Sequence, residues 1–338
     1  MNINLAMVGS TGAVGQEVLK ILNERNVKIN SLKLLASKRS AGKTIEFRGE
    51  KLVVEEATPD SFENIDVAIF SAGGSISKIL GPEAVKRGTV VIDNSNAFRM
   101  ETDVPLVIPE INPHAIHKHK GLISNPNCST IQMLVALKPL YDYSKIKKIW
   151  VSTYQSVSGT GTKAIKELKE LSQNALDGKE LNPKVYPKAI AFNVLPHLDV
   201  FQPNGYTLEE MKMVNETKKI FEDEEIIVEP TAVRVPVINC HSEAVTIETE
   251  KEITPQKARA LLDAANGVCV MDNIEELIYP TPLDVAGKDD VYVGRIRKGF
   301  IAQNALSMWV VGDNLRKGAA LNAVQILEYM IDKECIKW

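Results

Sequence analysis

The amino-terminal stretch limits this chain more than any other. Ile3 to Val8 is a short apolar strand that runs into Gly9-Ser-Thr-Gly12-Ala-Val-Gly15, then a helix from about Gln16 to Glu24. Glycine permits a tight turn and close backbone approach. The helix start offers unpaired N–H groups and the positive dipole end to a pyrophosphate. Strand, glycine loop and helix in this order predict a dinucleotide-binding domain on a parallel α/β sheet. Gly9, Ser10, Thr11, Gly12, Ala13, Val14 and Gly15 are its candidate phosphate contacts. The plainer alternative is a tight βα turn with no ligand.

The next strand, Leu32 to Ala36, ends in Ser37-Lys38-Arg39-Ser40. A site for NAD usually puts a carboxylate here for the ribose 2′-hydroxyl. The two cations and two hydroxyls favour the 2′-phosphate of NADP, with Ser37, Arg39 and Ser40 as contacts. A solvated basic turn is the bland alternative. Asp66 to Phe70 and Thr89 to Asp93 are buried-type strands separated by a helix around Ile76 to Arg87. Their polar ends, Ser71-Ala72-Gly73 and Asn94, fall where a doubly wound sheet opens its ligand crevice.

Cys128 is the candidate reactive group. Pro126 disfavours helix for Asn125, and Ile131, Leu134 and Val135 then recur at helical spacing up to Pro139, the expected stop. The thiol therefore sits at or next to a first helical turn, where unpaired N–H groups and the dipole stabilise a thiolate. A thiolate is the form that attacks a carbonyl. A small buried Cys capping a core helix is the commoner fate of a lone Cys, but Asn125, Asn127, Ser129 and Thr130 make this segment polar.

The second half has another texture. Lys148 to Val157, Thr231 to Val237, Cys240 to Glu250, Val268 to Met271 and Val291 to Arg297 read as strands, many alternating as a one-faced antiparallel sheet does. Helices are expected over Lys163 to Ala175, Leu208 to Phe221 and Asn314 to Lys333, with a polar excursion from Ser172 to Lys188. Arg234 and His241, seven residues apart, would face opposite ways on one continuous strand. Pro236 breaks it and lets both reach a common site. A His is a natural proton shuttle and an Arg a natural carboxylate clamp, though each taken singly has a bland default. The same holds for Arg99 and for the pair Glu209 and Lys212, neighbours on one helix face.

A chain of 338 residues is too long for one comfortable core, so two domains are expected. The net charge of −3 argues against a nucleic-acid surface, and no apolar run is long enough to span a bilayer. Met1 to Gly9 lacks the basic region of a secretory leader. Cys128, Cys240, Cys269 and Cys335 are scattered without metal-ligand spacing, which suits reduced thiols in the cytoplasm and no metal.

Taken together, Gly9–Gly15, Ser37–Ser40, Ser124–Thr130 (Ser-Asn-Pro-Asn-Cys-Ser-Thr), the run from Gln155 through Ser-Val-Ser-Gly-Thr-Gly, Arg234–His241 and Gly318-Ala-Ala-Leu-Asn-Ala resemble the bacterial aspartate-semialdehyde dehydrogenases nearly end to end. The resemblance implies a Rossmann-like dinucleotide-binding domain, residues 1–127, completed by the last helix, 314–338. It implies an α+β catalytic and dimerisation domain with a mostly antiparallel sheet over 128–313, and a homodimer. Cys128 matches the family's nucleophile, His241 its acid/base and Gln155 the side chain orienting the acylated intermediate. Arg234 matches the clamp on the substrate α-carboxylate, Glu209 (or, by a one-residue slip, Glu210) the partner of the substrate amino group, and Arg99, Asn127 and Lys212 the phosphate contacts. Ser158, Gly159 and Asn322 match further NADP(H) contacts.

The implied reaction is NADPH-dependent reduction of L-aspartyl 4-phosphate to L-aspartate 4-semialdehyde through a cysteine thioester, releasing phosphate. It serves lysine/diaminopimelate, threonine, methionine and isoleucine synthesis. N-acetylglutamyl-phosphate reductase is the nearest rival, but an N-acylated substrate has no use for a carboxylate such as Glu209. Glyceraldehyde-3-phosphate dehydrogenase has a different nucleophile segment. A non-catalytic NADP-binding sensor would need neither Cys128 nor His241.

Overall fold

In a computed structural model, which describes residues 2–337, the chain divides into two compact units. One is Met1–Asn127 with Ala319–Trp338, and the other is Cys128–Gly318. The return to the first unit falls at Ala319, beyond the Asn314 expected. Met1 and Trp338, the outermost residues of the expected ranges, lie outside the described residues.

The first unit is built from β1 (Ile3–Val8), α1 (Ala13–Glu24), β2 (Ile29–Ala36), β3 (Thr44–Phe47), β4 (Glu50–Glu56), β5 (Val67–Phe70), α2 (Gly74–Lys86), β6 (Val90–Asp93), β7 (Leu122–Ser124) and the C-terminal helix (Leu321–Asp332). The sheet order is β3-β4-β2-β1-β5-β6-β7, parallel except for the β3–β4 hairpin at one edge. Successive strand side chains point to opposite faces, and the core divides accordingly. Ile3, Leu5 and Met7 join Val67 and Ile69 under α1 and the C-terminal helix. Ala6 and Val8 join Ala68 and Phe70 with Leu80 and Ala84 of α2. Chain order reverses at β1, between β2 and β5, which opens a crevice beyond the carboxyl ends of those strands.

The second unit runs α3 (Cys128–Tyr143), β8 (Ile146–Gln155), α4 (Thr162–Leu176), α5 (Leu208–Phe221), β9 (Ile227–Arg234), β10 (His241–Thr249), α6 (Pro255–Asp263), β11 (Val268–Val270), α7 (Pro282–Val285), β12 (Val291–Lys298) and β13 (Ala305–Gly312). The sheet order is β11-β12-β13-β10-β8-β9, with the three central pairings antiparallel and both edge pairings parallel. On β10, His241, Glu243, Val245 and Ile247 are buried, while Ala244, Thr246 and Glu248 on the other face are part-exposed.

Several boundaries differ from the sequence expectation. Helix α3 continues through Pro139 to Tyr143. Burial of everything from Ser129 to Leu137, and of Leu140, outweighs the backbone hydrogen bond that proline forfeits. Strand β9 starts earlier than Thr231 and ends at Arg234, ahead of Pro236. The C-terminal helix begins only at Leu321, after a π turn over Arg316–Ala320. Among the described residues no helix is long and apolar enough to cross a membrane, and no group of His, Cys, Asp and Glu could hold a metal ion.

Candidate active site

Cys128 is the first residue of α3, and its Sγ lies 3.2 Å from His241 Nε2. The sulfur thus has the helix N-terminus and a ring nitrogen as neighbours, both of which favour a thiolate. Gly318 lets the π turn close on this residue: a Cβ there would stand 3.0 Å from Cys128 Cβ. Gln132, one turn along α3, donates from Nε2 to the His241 carbonyl at 3.2 Å, tying the helix to β10.

Three strands bring the remaining groups together. β8 lies between β9 and β10, so Arg234 at the end of one and His241 at the start of the other flank the turn that follows Gln155. Ser156 occupies that turn. Its N–H donates to His241 Nδ1 at 3.0 Å, and its carbonyl accepts from Arg234 Nη1 at 2.7 Å. An amide N–H can only donate, so Nδ1 presents a lone pair and the ring carries its single proton on Nε2, toward the sulfur. Burial, reinforced by the Arg234 guanidinium, pushes the His241 imidazole down to about 3, against the opposite pull of Glu209.

Gln155 Nε2 donates to Glu209 Oε1 at 3.2 Å, and Lys212 Nζ bridges Glu209 Oε2 at 3.0 Å and Asp199 Oδ2 at 2.9 Å. Burial works against the Lys212 ammonium, yet Glu209 and Asp199 hold it above its usual range. Glu210 is occupied elsewhere. Its carboxylate closes a capping box with Thr207 and accepts from the Ala232 N–H at 2.9 Å. Glu209 is therefore the carboxylate beside Gln155. Arg234 Nε is buried and meets no partner among the described residues.

In the first unit, Arg99 is buried rather than a surface cation. Its Nε donates to the Asn125 carbonyl and its Nη2 to the Asn94 carbonyl, both at 2.9 Å. Asn127 is buried too, the last residue before the thiol. Asn322 Nδ2 donates to the Val107 carbonyl and to Asn125 Oδ1, so it braces the segment leading to Cys128.

Residues 4–119 match the family described as semialdehyde dehydrogenase, NAD binding domain, and residues 137–317 the one described as semialdehyde dehydrogenase, dimerisation domain. An aspartate-semialdehyde dehydrogenase of Aquifex aeolicus is 53% identical, over 99% of this chain and 100% of that protein. One from Bacillus subtilis is 51% identical over 96% of each. This chain belongs to the aspartate-semialdehyde dehydrogenase family. The same holds in three dimensions. The crystal structure of aspartate semialdehyde dehydrogenase II from Vibrio cholerae, complexed with ASA, matches at a TM-score of 0.96 and 46% identity, covering 98% of this chain and 99% of that one.

A nicotinamide dinucleotide, which such a dehydrogenase uses, fits the first unit. Helix α1 has Gly12 at its N-cap, no side-chain cap and no acid in its first turn, so its amide end is open to a phosphate. Gly9 has φ +88°, and a Cβ there would meet the Ser71 carbonyl at 2.4 Å. Asn94 Oδ1, just past β6, is buried without a partner among the described residues. Thr11, Ala13 and Val14 lie on the loop and first turn, and Ser71, Ala72 and Gly73 lead from β5 into α2. Ser10 points inward instead, with its hydroxyl on the Leu35 carbonyl at 3.3 Å. Ser37 and Arg39 are exposed in the turn after β2, while Ser40 is buried and its N–H closes that turn on the Ser37 carbonyl.

Sequence reasoning passed over Ser156, Asp199 and Asn314. Ser156 had a signal, since it lies between Gln155 and Ser158 in a segment already singled out. Asn314 read as the start of a helix. Asp199 sits in an irregular stretch with φ +66°, and nothing local marks it.

Proposed function

We infer that the chain catalyses NADPH-dependent reductive dephosphorylation of L-aspartyl 4-phosphate to L-aspartate 4-semialdehyde, within lysine/diaminopimelate, threonine, methionine and isoleucine synthesis. Cys128 Sγ at 3.2 Å from His241 Nε2, on the segment shared with the family, carries this reading. Cys128 attacks the acyl carbonyl, phosphate departs, and a thioester remains. The bound nicotinamide supplies the hydride that reduces the thioester. His241 acts as the acid/base beside the sulfur and the oxyanion formed on the carbonyl, and Gln155 orients the acyl group.

Arg234 clamps the α-carboxylate, and its Nε, buried without a partner among the described residues, supports that role. Glu209 receives the substrate ammonium, which an N-acetylated substrate would lack. Arg99, Asn127 and Lys212 hold the departing phosphate. The glycine loop takes the pyrophosphate, with Ser71, Ala72, Gly73, Asn94, Ser158, Gly159 and Asn322 as further coenzyme contacts. Lys38 and Arg39 in the exposed turn favour the 2′-phosphate of NADP. Two copies associate through the second unit, where Leu277, Leu283, Phe300 and Ile301 are exposed. The four free cysteines suit the cytoplasm.

The test is phosphate-dependent NADPH formation from aspartate semialdehyde, with N-acetylglutamate semialdehyde as comparison. Cys128→Ser should abolish turnover and leave NADPH affinity within about twofold. Turnover in that variant, or preference for the N-acetylated aldehyde, would reject the assignment.

A further inference from the structure

The irregular stretch between α4 and α5 reaches Arg234 at both ends of that residue. Leu195 pairs with its backbone: the Leu195 N–H donates to the Arg234 carbonyl at 2.9 Å, and the Arg234 N–H to the Leu195 carbonyl at 2.8 Å. Tyr186 meets the other end, with the guanidinium carbon over its ring at 5.9 Å from the centroid, within cation–π range. The half-buried Tyr186 is itself held at tip and base. Its hydroxyl donates to Thr160 Oγ1 at 2.8 Å, in the turn that carries Gly159. Its backbone is anchored by the buried Glu167 carboxylate of α4, which accepts the N–H groups of Lys184 and Val185 at 2.6 Å and of Tyr186 at 3.4 Å. Hydrogen bonds to an ionised acceptor are the strong ones. Val185 and Tyr186 also pack against the cluster of Val157, Leu168 and Leu195. A stretch without helix or strand thus holds one aromatic ring in place against a cation.

We propose that Tyr186 is a positioning residue for the substrate α-carboxylate: its ring backs the Arg234 guanidinium and holds that fork in place, so that the enzyme selects aldehydes bearing a carboxylate. The inference rests on the reading of Arg234 as the clamp, and adds the group that aims it. The residue type suits the task. An acidic side chain at this place would pair with the guanidinium and neutralise the charge that the substrate needs. An aromatic face attracts a cation through its quadrupole and leaves that charge in force. The phenol stays neutral, since burial pushes its hydroxyl above the ordinary value while the Arg234 charge pulls the other way. One donor of the fork, Nη1, is fixed on the Ser156 carbonyl at 2.7 Å, and Nε is buried without a partner among the described residues. With one N–H anchored and the ring behind the guanidinium carbon, the fork has little freedom to swing. The carboxylate keeps its charge throughout the reaction, so the clamp acts alike on ground state and transition state. Weakening it therefore raises KM and leaves kcat.

The experiment is a double-mutant cycle of Tyr186→Leu and Arg234→Ala in the full-length enzyme, read by steady-state oxidation of aspartate semialdehyde with phosphate and NADP. Tyr186→Leu should raise KM for the semialdehyde about tenfold, as a partly desolvated cation–π contact implies, with kcat and KM for phosphate within about twofold. Tyr186→Phe keeps the ring and forfeits only the bond to Thr160, so its KM should return to within about threefold of wild type. In the Arg234→Ala background, Tyr186→Leu should change kcat/KM by less than about twofold, because the ring then has no cation to hold. An unchanged KM in Tyr186→Leu overturns the proposal. So does an equal loss in both backgrounds, which is what a merely structural loop residue gives, and so does a fall in kcat at constant KM. If Tyr186→Leu does not fold, Tyr186→Met carries the same expectation. Failure of the underlying reading shows elsewhere in the cycle. Arg234→Ala alone would then leave KM unchanged, or the wild type would not oxidise the semialdehyde, and either result removes the clamp and this proposal with it.

Discussion

Gly159→Ala separates two roles for one glycine. Gly159 lies in the short turn Val157–Thr160, and its backbone is outside the left-handed region, so alanine introduces no backbone strain there. A Cβ at this position would stand 3.3 Å from Arg234 Nη1, 3.3 Å from His241 Cε1 and 3.4 Å from His241 Nε2. Comfortable contact needs about 3.7 Å, so the methyl group must push each neighbour by about 0.4 Å. Neither moves freely: Arg234 is held by the Ser156 carbonyl at 2.7 Å and His241 by the Ser156 N–H at 3.0 Å. The ring can yield only by stretching its contact with the sulfur or with Ser156. A misplacement of about 1 Å costs up to about 10²-fold in rate, so about 0.4 Å scales to roughly sixfold. Overpacking of this kind costs about 1–3 kcal/mol of stability.

The assay is kcat with coenzyme saturating, NADPH affinity by fluorescence titration, and the rate at which iodoacetamide alkylates Cys128. The expected result is kcat down roughly fivefold to tenfold and slower alkylation, with NADPH affinity within about twofold. Wild-type kcat and alkylation combined with a large loss of NADPH affinity would refute the reasoning. Gly159 would then serve the coenzyme and not the spacing of His241 and Arg234.

Replacing Arg39 by Ala should weaken NADPH far more than NADH, because only the former carries the 2′-phosphate; equal losses in parallel titrations would count against that contact. Glu209→Ala should raise KM with little change in thermal midpoint. Glu210→Ala should instead cost about 1–2 kcal/mol of stability, since it removes a helix cap and the bond to the Ala232 N–H. Burial holds the Glu243 carboxyl well above the usual carboxylate range, with Gln132 pulling the other way. Its contribution to stability is complete below the unfolded value of about 4.3 and is lost as pH rises through the folded value. Glu243→Gln lacks that decline, so its urea midpoint relative to wild type should climb from pH 5 to pH 8; a constant offset would sink the assignment.

The parts of the fold legible in the sequence are those where one local rule acts unopposed. The glycine loop and α1 are such a case, and so is α5, where Thr207 and Glu210 write a capping box ahead of an apolar stripe. The β3–β4 hairpin went unread because its turn is Arg48-Gly49, with φ +52° and +82°. Asparagine or aspartate normally marks such a turn. Here Arg48 tolerates the conformation because its Nη2 donates to the Leu22 and Val27 carbonyls, at 3.0 and 2.8 Å, and its guanidinium stacks on Phe47. Strand β13 is mostly buried on both faces and carries no alternation to detect. Pro139 misled in the opposite direction, for tertiary burial overrode a strong local stop.

The candidate site divides along the same line. Cys128, Gln155, Glu209, Arg234 and His241 stand out by residue type and motif, but what joins two of them, Arg234 and His241, is a backbone unit. Ser156 gives its N–H to one partner and its carbonyl to another, and any residue other than proline has both to give. Residue type alone does not mark such a role, because the backbone performs it, although the Ser156 hydroxyl also lies 3.1 Å from His241 Nδ1. What the local sequence does fix is the turn: Gln155 closes β8, and Ser156 adopts φ −66° and ψ 154° as the chain enters Val157–Thr160. The backbone amide is thereby aimed at a ring that arrives from β10, more than 80 residues later in the chain. Spacing between Arg234 and His241 could suggest a shared site only through the break at Pro236. The sheet order supplies the stronger reason, because β9 and β10 are the two neighbours of β8, and residues at their adjoining ends must flank whatever β8 presents there.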